Sequence, residues 1–138
     1  MLQLSAQGDY GLILLKELSR VPQGSFLSLS TLAKKRHLPR KYLDQVASLL
    51  IGAGIIYARE GRGGGYALLK PTGKIGFIQV LRSLEGNVEP VKCVYDCSGC
   101  QRLSACEKKT GWQKVHQELY KILKNKTLAD VFKAASNN

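Results

Sequence analysis

Between Glu60 and Gly65 the chain carries glycine at positions 61, 63, 64 and 65, and this loop is flanked by two short β-prone runs, Ile55–Arg59 and Tyr66–Leu69. So glycine-rich a stretch cannot sustain a helix, but it tolerates the positive φ angles of a tight reversal. Pro71 closes the second run. The expected element is a β-hairpin, and it limits what the remaining sequence can build around it. The loop is not a phosphate-binding P-loop, because the pattern G-x-x-x-x-G-K-[ST] is absent and a second strand, not a helix, follows.

The sequence before the hairpin has helical periodicity. Tyr10, Ile13, Leu14 and Leu18 recur at helical spacing behind Ser5, a candidate cap. Pro22, Gly24 and Ser25 interrupt the pattern. Leu29 and the cap-like Ser30 then introduce a short helix through Thr31, Leu32, Ala33 and Arg36, and His37, Leu38 and Pro39 form a turn. In the next helix Leu43, Val46, Ala47 and Leu50 mark one face, while Arg40, Lys41, Asp44, Gln45 and Ser48 fall elsewhere. Gly52 and Gly54 stop it. After the hairpin, Ile75, Ile78, Leu81 and Leu84 predict a helix ended by Gly86. Asn87 to Cys106 shows no period. Trp112, Val115, Leu119, Ile122 and Leu123 form a long apolar stripe, and Thr127 with Asp130 reads as a capping box for a last short helix.

Two short helices joined by a turn and followed by a glycine hairpin have the order of a winged helix-turn-helix, whose second helix enters the DNA major groove. The fold class expected is mainly α with a small β-hairpin: a winged helix-turn-helix domain plus a long C-terminal dimerisation helix. Residues 1–86 would form the DNA-binding region, 87–106 a cysteine-rich loop, and 107–138 the dimerisation and C-terminal helices. Charge points the same way, with 21 Lys and Arg against 10 Asp and Glu in 138 residues, a formal net charge of +11. A polyanionic partner suits that balance. Lys34, Lys35, Arg36, Arg40 and Lys41 surround the turn with no carboxylate between them, so counterion release can drive binding there. Lys34, Arg36, Arg40, Lys41, Tyr42 and Gln45 are the candidate contacts from the helix pair, while Arg59 and Arg62 would serve a narrow minor groove beside the wing.

The start of the chain lacks the basic flank and apolar run of a signal peptide, and no stretch has the length of a membrane span, so a cytoplasmic protein is expected. In that reducing compartment, clustered cysteines read as metal ligands or redox thiols more naturally than as disulfides. Cys93, Cys97, Cys100 and Cys106 have the spacing C-x3-C-x2-C-x5-C. Thiolates suit iron-sulfur clusters or zinc. Zinc ribbons usually pair two knuckles across a longer loop, whereas these four share one loop, which favours iron-sulfur, 2Fe-2S or 4Fe-4S, over zinc. No βαβ pattern surrounds Cys97 and Cys100, which argues against a thioredoxin-like site.

Leu4-Ser5 with Asp9-Tyr10-Gly11, the run Pro39-Arg40-Lys41-Tyr42-Leu43-Asp44-Gln45, the wing Gly61-Arg62-Gly63-Gly64-Gly65-Tyr66, the cysteine loop, Trp112 and Thr127-Leu128-Ala129-Asp130-Val131 together resemble the IscR/NsrR-type family of iron-sulfur transcriptional regulators. The resemblance runs over nearly the whole chain. It implies a homodimer of winged-helix subunits crossed through the long C-terminal helix, binding a partly palindromic double-stranded operator and changing affinity with cluster state. The three cluster cysteines it implies match Cys93, Cys100 and Cys106, leaving Cys97 additional. IscR-like members place a histidine ligand where this chain has Lys109, which cannot ligate as an ammonium. Asp9 falls where NsrR-like members place an aspartate ligand from the partner subunit. Cys97 and Asp9 therefore compete for the fourth position, and Asp9 also reads as a solvated first-turn acid favoured by the helix dipole. Glu60 replaces an arginine common before the wing glycines, which leaves minor-groove contact to Arg59 or Arg62. His116 and His37 read as exposed or interface residues, not ligands.

These features describe a cluster-controlled DNA-binding regulator, a repressor sensing redox, iron or nitric oxide status. The cluster would order the loop from Cys93 to Cys106 against the base of the long helix and so set the spacing of two recognition helices. A zinc- or thiol-based regulator on the same fold is the alternative. An iron-sulfur carrier or assembly protein, the other alternative, would have little use for the basic turn from Lys34 to Lys41. No Ser/His/Asp or paired-carboxylate arrangement is apparent, so an enzyme is not expected.

Overall fold

The computed structural model describes residues 3–86 and 108–136. Helix α1 spans Ala6–Arg20. Ser5 caps it by accepting from the Gly8 N–H at 3.1 Å, Asp9 lies in its first turn and Arg20 in its last, so each charge complements the helix dipole. Leu14, Leu15 and Leu18 are buried, whereas Ile13 is only half-buried, so the core-facing stripe is rotated slightly from the one expected.

Helix α2, Leu29–Arg36, is capped by Ser28, whose hydroxyl accepts from the Thr31 N–H at 3.4 Å. Ser30, the cap expected from sequence, is already helical, because Leu29 must enter the helix early to reach the core. The helix ends at His37, the one non-glycine residue among those described with positive φ (54°). Helix α3, Arg40–Gly52, follows directly, and the four residues read as its apolar face, Leu43, Val46, Ala47 and Leu50, are all buried.

Strands β1, Ile56–Arg59, and β2, Gly65–Leu68, pair antiparallel with Ile56 opposite Leu68 and Arg59 opposite Gly65. Leu27 joins them through a two-hydrogen-bond bridge to Tyr66, both bonds 2.9 Å, which ties the α1–α2 connection to the wing. Gly65 is required at this crossing. Its φ is 141°, and a Cβ there would lie 2.5 Å from the Leu27 carbonyl oxygen.

Helix α4 covers Phe77–Glu85, after a single 3-10 turn at Thr72–Lys74. Ile75, expected to open this helix, is extended instead. Its carbonyl accepts from the Leu128 N–H at 2.9 Å, and the Phe77 N–H donates to Lys126 at 2.9 Å, so the chain here pairs with the C-terminal region before turning helical. Gly8 and Gly11 let α1 and α4 meet closely, because a Cβ at either would collide with Glu85 or Leu84.

Helix α5 is Lys108–Lys124 and α6 is Leu128–Ser136. Thr127 and Asp130 form the expected capping box: the Thr127 N–H donates to the carboxylate at 2.9 Å and the Asp130 N–H to the threonine hydroxyl at 3.3 Å. Leu128 is fully buried in the core shared with α1 to α4. The long apolar stripe of α5 divides into two faces. His116, read from sequence as an exposed or interface residue, is 5% exposed, and with half-buried Tyr120 and Leu123 it forms the inward face. Arg82 of α4 secures that face, its guanidinium 5.6 Å from the Tyr120 ring centre and donating to the phenol oxygen at 3.3 Å. Val115, Leu119 and Ile122 form the other face, 47%, 42% and 57% exposed. No helix among the described residues is long and apolar enough to cross a membrane.

Candidate nucleic-acid interface

Burial of Leu43, Val46 and Leu50 against α1 turns the opposite side of α3 outward by helical geometry. Arg40, Lys41, Tyr42, Asp44, Gln45 and Ser48 are all exposed. They differ in freedom. Arg40 donates to Asp44 at 3.2 Å one turn along and also to the Ser30 hydroxyl, joining the two helices of the pair across the turn. Tyr42 packs its ring 5.8 Å from that of Tyr10, tilted by 41°. Lys41 and Gln45, one helical turn apart, have no hydrogen-bond or ion-pair partner among the described residues, so their donors are available to an incoming ligand.

The wing places Arg59 and Arg62 at and beyond the end of β1, both exposed. Arg59 is supported: its guanidinium lies 5.6 Å from the Phe26 ring centre, and Phe26 meets Tyr57 edge-on at 5.5 Å. An arginine held over an aromatic ring loses less freedom on meeting a phosphate or a groove floor. Arg62 sits at the glycine tip beside exposed Glu60.

The basic run at the end of α2 is organised differently from its sequence reading. Lys34 is exposed. Lys35 and Arg36 instead converge on Glu17 of α1, whose carboxylate is only 4% exposed: Lys35 Nζ is 2.9 Å from one oxygen, Arg36 Nε is 3.0 Å from the other and its Nη2 also contacts it, and Arg20 adds a contact at 3.2 Å. The hydrogen bond from Arg36, assisted by Lys35 and opposed by burial, holds the Glu17 pKa below the ordinary glutamate value. The missed partner had a signal. Glu17 falls three residues after Leu14 and one before Leu18, on the core-facing stripe of α1, where a carboxylate needs cations.

Among the described residues no group of three or more His, Cys, Asp or Glu side chains could hold a metal. Cys93, Cys97, Cys100 and Cys106 lie outside the described residues. Asp9 is exposed in the first turn of α1, its N–H bonded to the Ser5 carbonyl. That end of α1 abuts the end of α4, where Glu85 accepts from the Ser5 hydroxyl at 2.7 Å and from its N–H at 3.2 Å. The cysteine-bearing segment follows α4 directly in sequence.

A family profile described as Rrf2, iron-dependent transcriptional regulator, matches residues 4–134. The chain belongs to the Rrf2 family. A curated relative, Protein rrf2 of Nitratidesulfovibrio vulgaris strain Hildenborough, is 28% identical over 135 residues, covering 98% of this chain and 90% of that one. Among solved structures, CymR (YrzC), the global cysteine regulator of B. subtilis, matches with a TM-score of 0.74 and 30% identity over 95% of this chain and 96% of its own. The IscR of T. potens matches with a TM-score of 0.69 and 28% identity over 97% and 88%, and an oxidized form of Staphylococcus aureus CymR with 0.68 and 28% over 94% and 95%. The winged-helix reading and the family resemblance are thus both borne out, and the protein is a Rrf2-family transcriptional regulator.

Proposed function

We propose that the protein is a homodimeric repressor that binds a double-stranded DNA operator through α3 and the wing, under control of an iron-sulfur cluster on its cysteine segment. The observation that carries the DNA contact is the outward face of α3, where Lys41 and Gln45 stand unengaged between the tethered Arg40 and the exposed Tyr42, flanked by Lys34 and by the arginines of the wing. Lys and Gln donors at these positions suit purine edges, while Lys34, Arg40, Arg59 and Arg62 suit phosphates and the minor groove. Arg36 contributes through its hold on Glu17. Residues 1–86 read DNA, 87–106 carry the sensor, and 107–138 close the dimer through the exposed face of α5. Such a protein works in the cytoplasm.

The donor set fits a cluster. Four thiols with no intervening regular period supply soft ligands, and Cys93, Cys100 and Cys106 are the assigned three, with Cys97 or Asp9 as the fourth. A cluster, when bound, supplies a redox- and ligand-sensitive set of bonds that orders this segment. The chain's own part is to convey that order to α4 and α5, the elements on either side of it in sequence, and through Glu85 of α4 to α1.

Two observations favour a second reading, in which the same cysteines sense by thiol chemistry or bind zinc. One is the similarity to CymR of B. subtilis, a global cysteine regulator, and to the oxidized form of Staphylococcus aureus CymR. The other is Lys109 in place of a histidine ligand. Anaerobic purification, visible absorption and iron, sulfide and zinc analysis separate the readings, since zinc is colourless. For the DNA contact, Lys41→Ala and Gln45→Ala are each expected to weaken specific operator binding by ~1–3 kcal/mol at fixed salt, with no loss of fold. Equal loss on random DNA would reduce them to phosphate contacts, and no loss on either would remove α3 from the interface.

A further inference from the structure

Lys35 and Arg36 look, in sequence, like part of the positive surface offered to DNA. Their register says otherwise. Leu29 and Leu32 are the buried residues of α2, and Lys35 and Arg36 follow Leu32 by three and four positions, so they prolong the core-facing stripe toward α1. Thr31 and Lys34 occupy the other, exposed side. Glu17, nearly inaccessible, meets the two cations at the end of that stripe and uses both carboxylate oxygens to do so. The Lys35 and Arg36 side chains are themselves 60% and 41% exposed, so release from Glu17 would free their charged ends to turn toward an incoming phosphate without unpacking the core.

We propose that Glu17 is a specificity-determining residue: by holding Lys35 and Arg36 against α1 it withholds two positive charges from the DNA backbone. The proposal rests on the DNA-binding reading of α3. Sequence-independent affinity grows with every phosphate neutralised, whereas discrimination depends on what base contacts add to it. On a chain with a net charge of +11, limiting the phosphate grip keeps the difference between operator and random DNA large. Glu17 is a positioning residue and does not itself meet DNA. Its ionised state at neutral pH follows from the Arg36 and Lys35 hydrogen bonds, which outweigh its burial.

The test measures binding of the full-length protein to a random-sequence duplex as a function of KCl concentration. Glu17→Gln keeps the side-chain volume and removes the charge. It is expected to steepen the log–log salt slope by about 1 to 2 and to raise random-duplex affinity by about tenfold per freed cation near 0.1 M salt. Lys35→Ala leaves Arg20 and Arg36 on the carboxylate and is expected to leave the slope unchanged, so the proposal can be refuted by this variant even if Glu17→Gln melts early. A shallower slope for Lys35→Ala, or an unchanged slope for folded Glu17→Gln, overturns the proposal, because the cations would then already grip phosphate or never reach it. Lys41→Ala is the control and should make the slope shallower. A slope unmoved by Lys41→Ala would bring down the interface itself, a failure distinct from that of Glu17's role.

Discussion

Replacing Ile122 with Glu tests whether α5 closes the dimer. Val115, Leu119 and Ile122 lie at i, i+4 and i+7 on the face of α5 turned away from α4, and each leaves about half of its side chain exposed. Full burial of such a side chain is worth ~1.5–3 kcal/mol, so covering the remaining half of each contributes ~1 kcal/mol. Because a two-fold interface repeats every contact, these three residues alone would supply ~6 kcal/mol to a dimer closed through this face. Ile122→Glu removes ~2 kcal/mol of that and brings two carboxylates toward an apolar seam. The dissociation constant should rise at least ~30-fold, since each ~1.4 kcal/mol is a factor of ten and the carboxylates add to the loss. At 57% exposure Ile122 contributes less than its neighbours to the subunit's own fold, so the variant monomer should keep its helical signal and most of its thermal stability. Sedimentation equilibrium across the micromolar range reads the constant, and circular dichroism reads the fold. An unchanged dimer constant would refute the reasoning, and a wild-type monomer at these concentrations that binds DNA one to one would do so more directly.

Cys93→Ser, Cys100→Ser and Cys106→Ser should each abolish cluster retention on anaerobic reconstitution, as read by iron and sulfide counts; full retention in any of the three would overturn the assignment. Cys97→Ser and Asp9→Ala, compared in the same assay, identify the fourth ligand by which one alone loses the cluster. Glu17 has a folded-state pKa below its ordinary value of 4.5, so its contribution to stability is present above that value and is lost as the pH falls through the depressed one. Melting temperature followed from about pH 6 to about pH 3 should therefore fall less steeply for Glu17→Gln than for the unsubstituted protein. Thr127→Ala should cost about 1 kcal/mol in denaturant unfolding by removing the cap of α6, and an unchanged midpoint would show that the capping box carries no stability.

Where periodicity alone decides burial, the sequence was sufficient. The four buried residues of α3 and the capping box of α6 were legible because each depends on spacing within a single helix. The places where reading failed depend on a second element. Ser28 caps α2 in place of Ser30 because Leu29 has to reach the core. Ile75 is extended because Leu128 bonds to it from far along the chain. The α5 stripe mixed two faces, since nothing local says that His116 is covered while Val115 beside it is open. The interface shows the same division. Lys41 and Gln45 stand outward as their register required, whereas the pairing of Lys35 and Arg36 with Glu17, a carboxylate on another helix, could not be read from the basic run alone.

Helix α1 connects the proposed sensor to the proposed reader by a short path. At its first turn Ser5 holds Glu85, and Gly8 admits the same carboxylate against the helix, so the last residue of α4 is seated on α1 just before the chain enters the cysteine segment. One residue beyond Asp9, Tyr10 lays its ring against Tyr42 on the recognition helix. Farther along, Glu17 grips the end of α2. The three contacts lie on one rigid rod, and a rod transmits displacement because its backbone hydrogen bonds resist local bending. A shift at the α4 end therefore reaches Tyr42 through a single ring contact, with no loop in between. It reaches α2 by a charge cluster whose carboxylate is buried and whose geometry is costly to disturb. Leu43, Val46 and Leu50 of α3 share one core with Leu14, Leu15 and Leu18 of the same rod, so a displacement of α1 would act on α3 both through that core and through the Tyr10–Tyr42 contact.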